Sequence, residues 1–312
     1  MTISTEPSAP LIVVVGATGL QGDSVINNLA ASAKPYRMRG LTRDPMKPTS
    51  KALAERGVKI VACNLSVENV AGIEDAFRNA TYVFVFKIVT NFWEHFDQGR
   101  ETAEGKVMVT SAKKAGVKLL LLSTEPNATK ASGGKITKLY HFDSKAFIAD
   151  HAREIGVPFV EIEAAGHTLL KMGPTFVKGA WAPDTKMPLI DTYHDFGRFS
   201  QWAIESEEFN KGGGKVIFAY AEWMDMAKQT QVLSQVTGKD ISYQQITEEE
   251  SRSLMANAAM PPHVIDDMID LFRFHEQAWE ATYVHNNRKN LARQPRTFKE
   301  YCQTEDWSYV MG

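Results

Sequence analysis

Residues 11–22 read LIVVVGATGLQG. An apolar run at 11–15 breaks at Gly16, and Gly19 and Gly22 follow at three-residue spacing. Residues 23–33 then carry Val25, Ile26, Leu29, Ala30 and Ala33 at helical spacing. A buried strand that turns through glycines into a helix is the dinucleotide-binding unit. In that reading Gly16 permits the tight turn, Gly19 lets the backbone approach a pyrophosphate, and Gly22 lets the helix pack on the strand. Thr18, Leu20 and Gln21, between the glycines, line the same phosphate site. The phosphates sit at a helix N-terminus, where free N–H groups and the dipole favour anions. The competing reading is an ordinary glycine turn in an unrelated α/β protein.

Outward from this stretch, strands and helices alternate. The pattern predicts strands at 36–42, 58–62, 81–85, 117–123 and 158–162. It predicts helices at 50–56, 67–78, 92–115 and 139–155. Six strands with right-handed crossovers give an α/β fold, a Rossmann-type doubly wound parallel sheet. After Ala164 the pattern loosens. Residues 172–192 are loop-rich, with prolines at 174, 183 and 188. Helices are expected at 196–205, 224–236, 248–258 and 262–276, and strands at 215–220 and 241–246. The expected organisation is a flexible start at 1–10, an NAD(P)-binding domain at 11–164, and a smaller C-terminal α/β lobe at 165–312. That lobe shares a core with the sheet.

Composition excludes several classes. A net charge of −2 over 312 residues gives no nucleic-acid footprint. No apolar run approaches the ~20 residues that span a membrane. Residues 1–10 lack the basic and apolar regions of a secretory signal. Cys63 and Cys302 stand far apart and read as reduced thiols of an intracellular, cytoplasmic protein. His141, His151 and His194 show no metal-ligand spacing, so no metal site is expected.

The end of the second strand ordinarily faces the adenine ribose, where a basic residue accommodates the 2′-phosphate of NADP. Here Arg43 follows Thr42, with Lys47 close behind. An arginine fork makes paired, charge-assisted bonds to phosphate. NADP(H) is therefore expected over NAD(H). The competing reading is a solvated arginine, with Asp44 pairing to it or meeting the ribose itself. Asn64 and Leu65, after the third strand, are placed to meet the adenine.

The catalytic pattern is incomplete. Short-chain dehydrogenases carry Tyr and Lys at i,i+4 on one helix, so that Lys lowers the Tyr pKa. This chain has Tyr140 and Lys145, at i,i+5. That spacing sets them roughly 140° apart on a helix, unless the helix begins near Phe142 and leaves Tyr140 on a loop. Tyr140 is a candidate acid, with a packing or hydrogen-bonding tyrosine as the competing reading. Lys145 suits a contact to the nicotinamide ribose. Ser123 and Thr124 are expected after the fifth strand, as substrate-binding or loop-capping hydroxyls. Thr90, Asn91 and Trp93 follow the fourth strand, beside the nicotinamide half of the cleft. His167 is a further candidate acid, since its pKa range suits proton delivery. Lys87 either reaches the cofactor or snorkels to solvent. Phe92, Phe176 and Trp181 are aromatic candidates for a substrate pocket or for the core.

Together these features resemble the NmrA-like family of atypical short-chain dehydrogenases. The matching stretches are GATGLQG at 16–22, LTRDP at 41–45, TNFWE at 90–94, HFDSK at 141–145 and IGVPFVEI at 155–162. DTYHDFGR at 191–198, LFRFHE at 271–276 and the tail at 297–307 are also similar. The resemblance implies a Rossmann domain with a small lobe, binding NADP(H). Several members look like redox sensors that bind regulatory proteins; one fungal member restrains a GATA-type zinc-finger transcription factor. Others, close to isoflavone and phenylcoumaran ether reductases, transfer hydride with the lysine matching Lys145. Asn64, Lys87 and His167 depart from the family pattern. The missing dyad favours a dinucleotide-sensing regulator with a protein partner, in cytoplasm or nucleus. The alternative is an NADPH-dependent reductase of a small carbonyl, imine or enone.

Overall fold

The run Leu11–Val15 forms β1, and all five of its residues are buried. In the computed structural model, which describes residues 3–86, 97–164, 178–282, 286 and 288–307, β1 passes through the glycine turn into α1 (Leu20–Ala30). The alternation continues as β2 (Arg37–Thr42), α2 (Pro48–Glu55), β3 (Lys59–Ala62), α3 (Val70–Phe77), β4 (Tyr82–Val85), α4 (Gln98–Lys114) and β5 (Leu119–Thr124). A short α5 (Ala128–Ala131) precedes α6 (Tyr140–Ile155) and β6 (Phe159–Glu163). Beyond them come β7 (Lys178–Gly179), β8 (Lys186–Leu189), α7 (Thr192–Glu205), β9 (Lys215–Phe218), β10 (Glu222–Asp225) and α8 (Met226–Thr237). The chain ends through β11 (Gln244–Gln245), α9 (Glu248–Asn257), α10 (Pro262–Gln277), α11 (Trp279–Thr282) and α12 (Phe298–Thr304).

Among the described residues the main sheet has seven strands in the order β3-β2-β1-β4-β5-β6-β9, and every pairing between them is parallel. Strands of such a sheet are covered on both faces, hence their unbroken apolar runs. Alternate residues serve opposite faces. Ile12, Val14, Phe84 and Leu121 pack with Val25, Ile26 and Leu29 of α1 and Phe196 and Phe199 of α7. Val13, Val15, Val83 and Leu122 pack on the other side with Ile73 and Phe77 of α3, Met108 and Val109 of α4, and Ala149 of α6.

Several boundaries differ from the sequence reading. The main sheet holds seven strands rather than six, because β9 returns from beyond residue 164 to pair with β6. The helix expected at 67–78 opens with a 3-10 turn and becomes α-helical at Val70. Asp97 caps α4 by accepting from the Arg100 N–H, so that helix begins at Gln98. Asp191 caps α7 in the same way, so that helix begins at Thr192, four residues before the expected start. Residues 222–225 pair antiparallel with β8 instead of opening α8. The strand expected at 241–246 shrinks to two residues, because Ile241 and Tyr243 pack against the small core of Met187, Leu189, Leu233, Phe298 and Tyr301. Cys63 and Cys302 are both free thiols, each buried in a different core cluster. Among the described residues no helix is long and apolar enough to cross a membrane.

Helices α1 and α7 approach so closely that a Cβ at Gly197 would lie 2.0 Å from the Ser24 carbonyl oxygen. The Gly197 N–H also donates to Ser24 Oγ at 2.9 Å. Gly197→Ala should therefore cost about 3 kcal/mol, the upper end of overpacking penalties, despite the better helix propensity of alanine. Thermal unfolding reads this directly. An unchanged midpoint would mean that the two helices have room to separate.

Candidate functional site

Strand order reverses around β1, which pairs with β2 on one side and β4 on the other. Ligands of open α/β sheets bind outside the carboxyl ends of the strands at such a point. The glycine turn stands there. Gly16 has φ +66°, the left-handed region that glycine occupies without a Cβ penalty. Its carbonyl accepts from the Gly19 N–H at 2.9 Å, closing the turn. Gly22 packs α1 onto the loop: a Cβ there would come within 2.2 Å of the Gly16 oxygen. Gly19 is the N-cap of α1 and has no side chain to cap it. The helix N-terminus is thus open beside exposed Gly19 and Leu20 and half-buried Thr18. Half-buried Gln21 keeps its Oε1 shut from solvent, without a hydrogen-bond partner among the described residues. A bare, electropositive helix start has the form of an anion cradle.

Arg43 lies just past β2, exposed, with no hydrogen bond or ion pair among the described residues. Asp44 is not paired to it. The Asp44 Oδ1 accepts from the Met46 N–H at 2.9 Å, and its carbonyl accepts from Ser50 Oγ at 2.8 Å. That turn leaves the guanidinium open at the strand end. After β3, Asn64 is exposed and Leu65 half-buried. The Asn64 carbonyl accepts from Asn69 Nδ2 at 2.7 Å.

The other half of the cleft is built from β5 and α6. The first turn of α6 is capped from a distant element. Buried Asp267 of α10 accepts from the Tyr140 N–H at 2.8 Å and lies 2.5 Å from His141 Nδ1. Asp270 accepts from the N–H groups of Thr137 and Lys138. The helix therefore starts at Tyr140 and not near Phe142. Tyr140 and Lys145 stand roughly 140° apart on it, so the tyrosine–lysine pair of short-chain dehydrogenases is not formed. Lys145 is only 4 % exposed. Its Nζ donates to the His141 carbonyl at 2.7 Å and lies 3.9 Å from Oε1 of Glu101, a fully buried residue of α4. Ser123 and Thr124 are the last residues of β5 rather than the start of the loop, because they pair with Ile162 and Glu163 of β6. Both are buried.

Lys87, Thr90, Asn91, Phe92, Trp93, His167 and Phe176 lie outside the described residues. Trp181 packs edge-on against Phe272, with ring centroids 4.4 Å apart. His151 meets Thr110 Oγ1 at 3.0 Å, and His194 meets Asp191 at 2.8 Å. Among the described residues no group of three potential ligands could hold a metal ion.

Sequence reasoning missed the carboxylates around Lys145. Glu101 reads as an ordinary polar position of a helix with little apolar pattern, and Glu125 as a loop residue. Only FVEIE, two acids inside an otherwise apolar strand, signals buried charge. Burial pushes the Glu125 carboxyl up to about 8, against the pull of Lys145.

A glycine-turned helix N-terminus at a strand-order reversal defines a Rossmann-type nucleotide fold. The sequence profile of the NmrA-like family matches residues 8–302, and the chain belongs to that family. It is 29 % identical over 262 residues to an NmrA-like family domain-containing oxidoreductase of Penicillium ochrochloron, covering 76 % of each chain. It is 24 % identical to an NAD(P)H azoreductase of Xenophilus azovorans, covering 94 % of this chain and 97 % of that protein. Its fold matches the negative transcriptional regulator NmrA, solved in complex with NAD and with NADP. Those two structures superpose with TM-scores of 0.77 and 0.76 over 95 % of each chain, at 19 % and 18 % identity.

Proposed function

We propose that the protein is an NADPH-dependent reductase of a small electrophilic metabolite. The observation that carries this reading is the buried pair of Lys145, near the start of α6, and Glu101, near the start of α4. A buried ion pair is poor value for stability, since apolar residues of similar volume often serve as well. Its presence beside the cleft therefore points to chemistry. The oxidoreductase names of the Penicillium and Xenophilus relatives support the same reading. The regulator reading rested on the missing dyad and on likeness to sensor-type members through TNFWE at 90–94 and HFDSK at 141–145; the missing dyad removes one proton donor and leaves hydride transfer itself untouched.

The residues present fit a nicotinamide dinucleotide. The backbone of 19–22 would hold the pyrophosphate, in the space that a side chain at Gly19 would fill. Arg43 would meet the 2′-phosphate, and Asn64 and Leu65 the adenine. Bound there, the cofactor supplies hydride from its nicotinamide ring. Lys145 holds positive charge beside the reacting end and orients the ribose hydroxyls. The test is NADPH fluorescence in the presence of protein, challenged with aldehydes, enones and imines. Consumption supports the reductase. Binding without consumption of NADPH returns the chain to the regulator reading, with a protein partner.

Arg43 sets the cofactor preference in this account. Loss of a charge-assisted contact costs about 1.5–3 kcal/mol, or roughly one to two decades in affinity. Arg43→Ala should lose most of the preference for NADPH and leave NADH binding nearly unchanged. Calorimetric titration with both cofactors checks it. Equal wild-type affinities would contradict the role given to Arg43.

A further inference from the structure

We propose that Glu125 is the proton donor of this site, delivering its carboxyl proton to the substrate oxygen or nitrogen as hydride arrives at the neighbouring carbon. The inference rests on the reductase reading and deepens it. Glu125 takes the place that Tyr140 cannot fill.

The geometry comes from the sheet. Thr124 is the last residue of β5, opposite Glu163 of β6, so Glu125 leaves the sheet at its carboxyl end. That end is where ligands of this architecture sit. Glu125 is half-buried, and its Oε2 is shut from solvent with no hydrogen-bond partner among the described residues. An orphaned carboxyl oxygen at a cleft is costly unless something binds it or it stays neutral.

Burial keeps it neutral. Lys145 faces it from α6, but burial outweighs that attraction and raises the carboxyl to about 8. Glu163 of β6 is raised well above the ordinary range by burial and by the nearness of Glu161 and Glu125. Glu161 is raised by burial although Arg153 pairs with it. Glu101 of α4 faces Lys145 rather than solvent. Asp143 of α6 is occupied, accepting from Thr129 Oγ1 at 2.5 Å. Glu125 keeps its proton through burial, and its nearness in turn raises Glu163.

The step balances simply. Hydride from NADPH forms the new C–H bond at the carbonyl carbon, and the C=O π electrons move to oxygen. The Glu125 O–H bond breaks as that oxygen takes the proton. The carboxylate left behind faces Lys145 and regains a proton from solvent. One carbonyl, one NADPH and one proton become one alcohol and one NADP⁺. The acid form is required, so turnover should fall as pH rises through about 8.

The test compares two acceptors in wild type, Glu125→Gln and Glu125→Asp. An aromatic aldehyde needs both hydride and proton. A cationic triarylmethane dye needs hydride alone. Glu125→Gln should slow aldehyde reduction about 100-fold or more, the scale of a positioned acid, and leave dye reduction unchanged. If that variant fails to fold, Glu125→Asp should show the same split, because the shorter side chain misplaces the proton. Infrared titration of the cofactor-free protein gives a readout independent of turnover. A protonated-carboxyl band should vanish as pH rises through about 8 in wild type and be missing from Glu125→Gln. Equal slowing of both acceptors overturns the proposal, as does the absence of that band. A wild type that reduces only the dye overturns it while leaving the reductase reading intact. A wild type that consumes no NADPH with either acceptor overturns that reading and this proposal together.

Discussion

Gly19→Val should abolish dinucleotide binding in a protein that still folds. Gly19 has φ −91° and ψ 168°, extended backbone that valine adopts readily. Among the described residues its Cβ would meet only the Gly16 carbonyl oxygen, at 3.3 Å, a contact that small movements relieve. The valine methyl groups would then cover the N–H groups at the start of α1. Losing two charge-assisted bonds to the pyrophosphate costs about 3–6 kcal/mol, or roughly two to four decades in affinity. Gly22→Val should behave differently, because its Cβ would collide with backbone at 2.2 Å and unseat the helix. Circular dichroism separates the two variants, and calorimetry reads the binding. NADPH affinity retained in Gly19→Val would place the phosphates elsewhere.

Lys145→Met should lower turnover about 100-fold or more, with a smaller loss of NADPH affinity. The substitution removes the cation that faces Glu101 and Glu125. The Glu125 carboxyl would then hold its proton more tightly, since Lys145 now pulls its pKa down. A more tightly held proton makes a weaker acid at the working pH, and the alkaline limb of the pH profile should move upward. Stability should also fall, by about 3 kcal/mol, because Glu101 is left buried beside an uncharged chain. Rates must therefore be read below the variant's unfolding temperature. Lys145→Arg, which retains the charge, should recover most of the stability and the position of the limb. Unchanged turnover in Lys145→Met would remove Lys145 from the chemistry.

The apolar runs of β1, β4 and β5 were legible because a parallel sheet buried on both faces leaves no room for alternation. The glycine turn was legible because three positions each have a separate steric reason. The missing tyrosine–lysine pair was legible from spacing, yet the sequence left the start of α6 open. Asp267 decides it from more than a hundred residues away, and a distant cap leaves no local trace. Strand β9 escaped the sheet count for a related reason: its pairing with β6 spans the loop-rich stretch, and a short strand does not announce its neighbour. The carboxylates of the site were hidden by their commonness. Glutamate on a helix or after a strand reads as surface, and only packing shows that Glu101 is fully buried and that Glu125 has an oxygen shut from solvent.

In a reductase of this kind hydride passes from cofactor to substrate. NADPH deuterated at C4 of the nicotinamide, incubated with the protein and an aromatic aldehyde, tests it by mass spectrometry of the product. The expected product is an alcohol carrying one deuterium on its former carbonyl carbon, formed by wild type and lost in Gly19→Val. Cofactor bound and returned with its deuterium intact, across aldehyde, enone and imine acceptors, would contradict it.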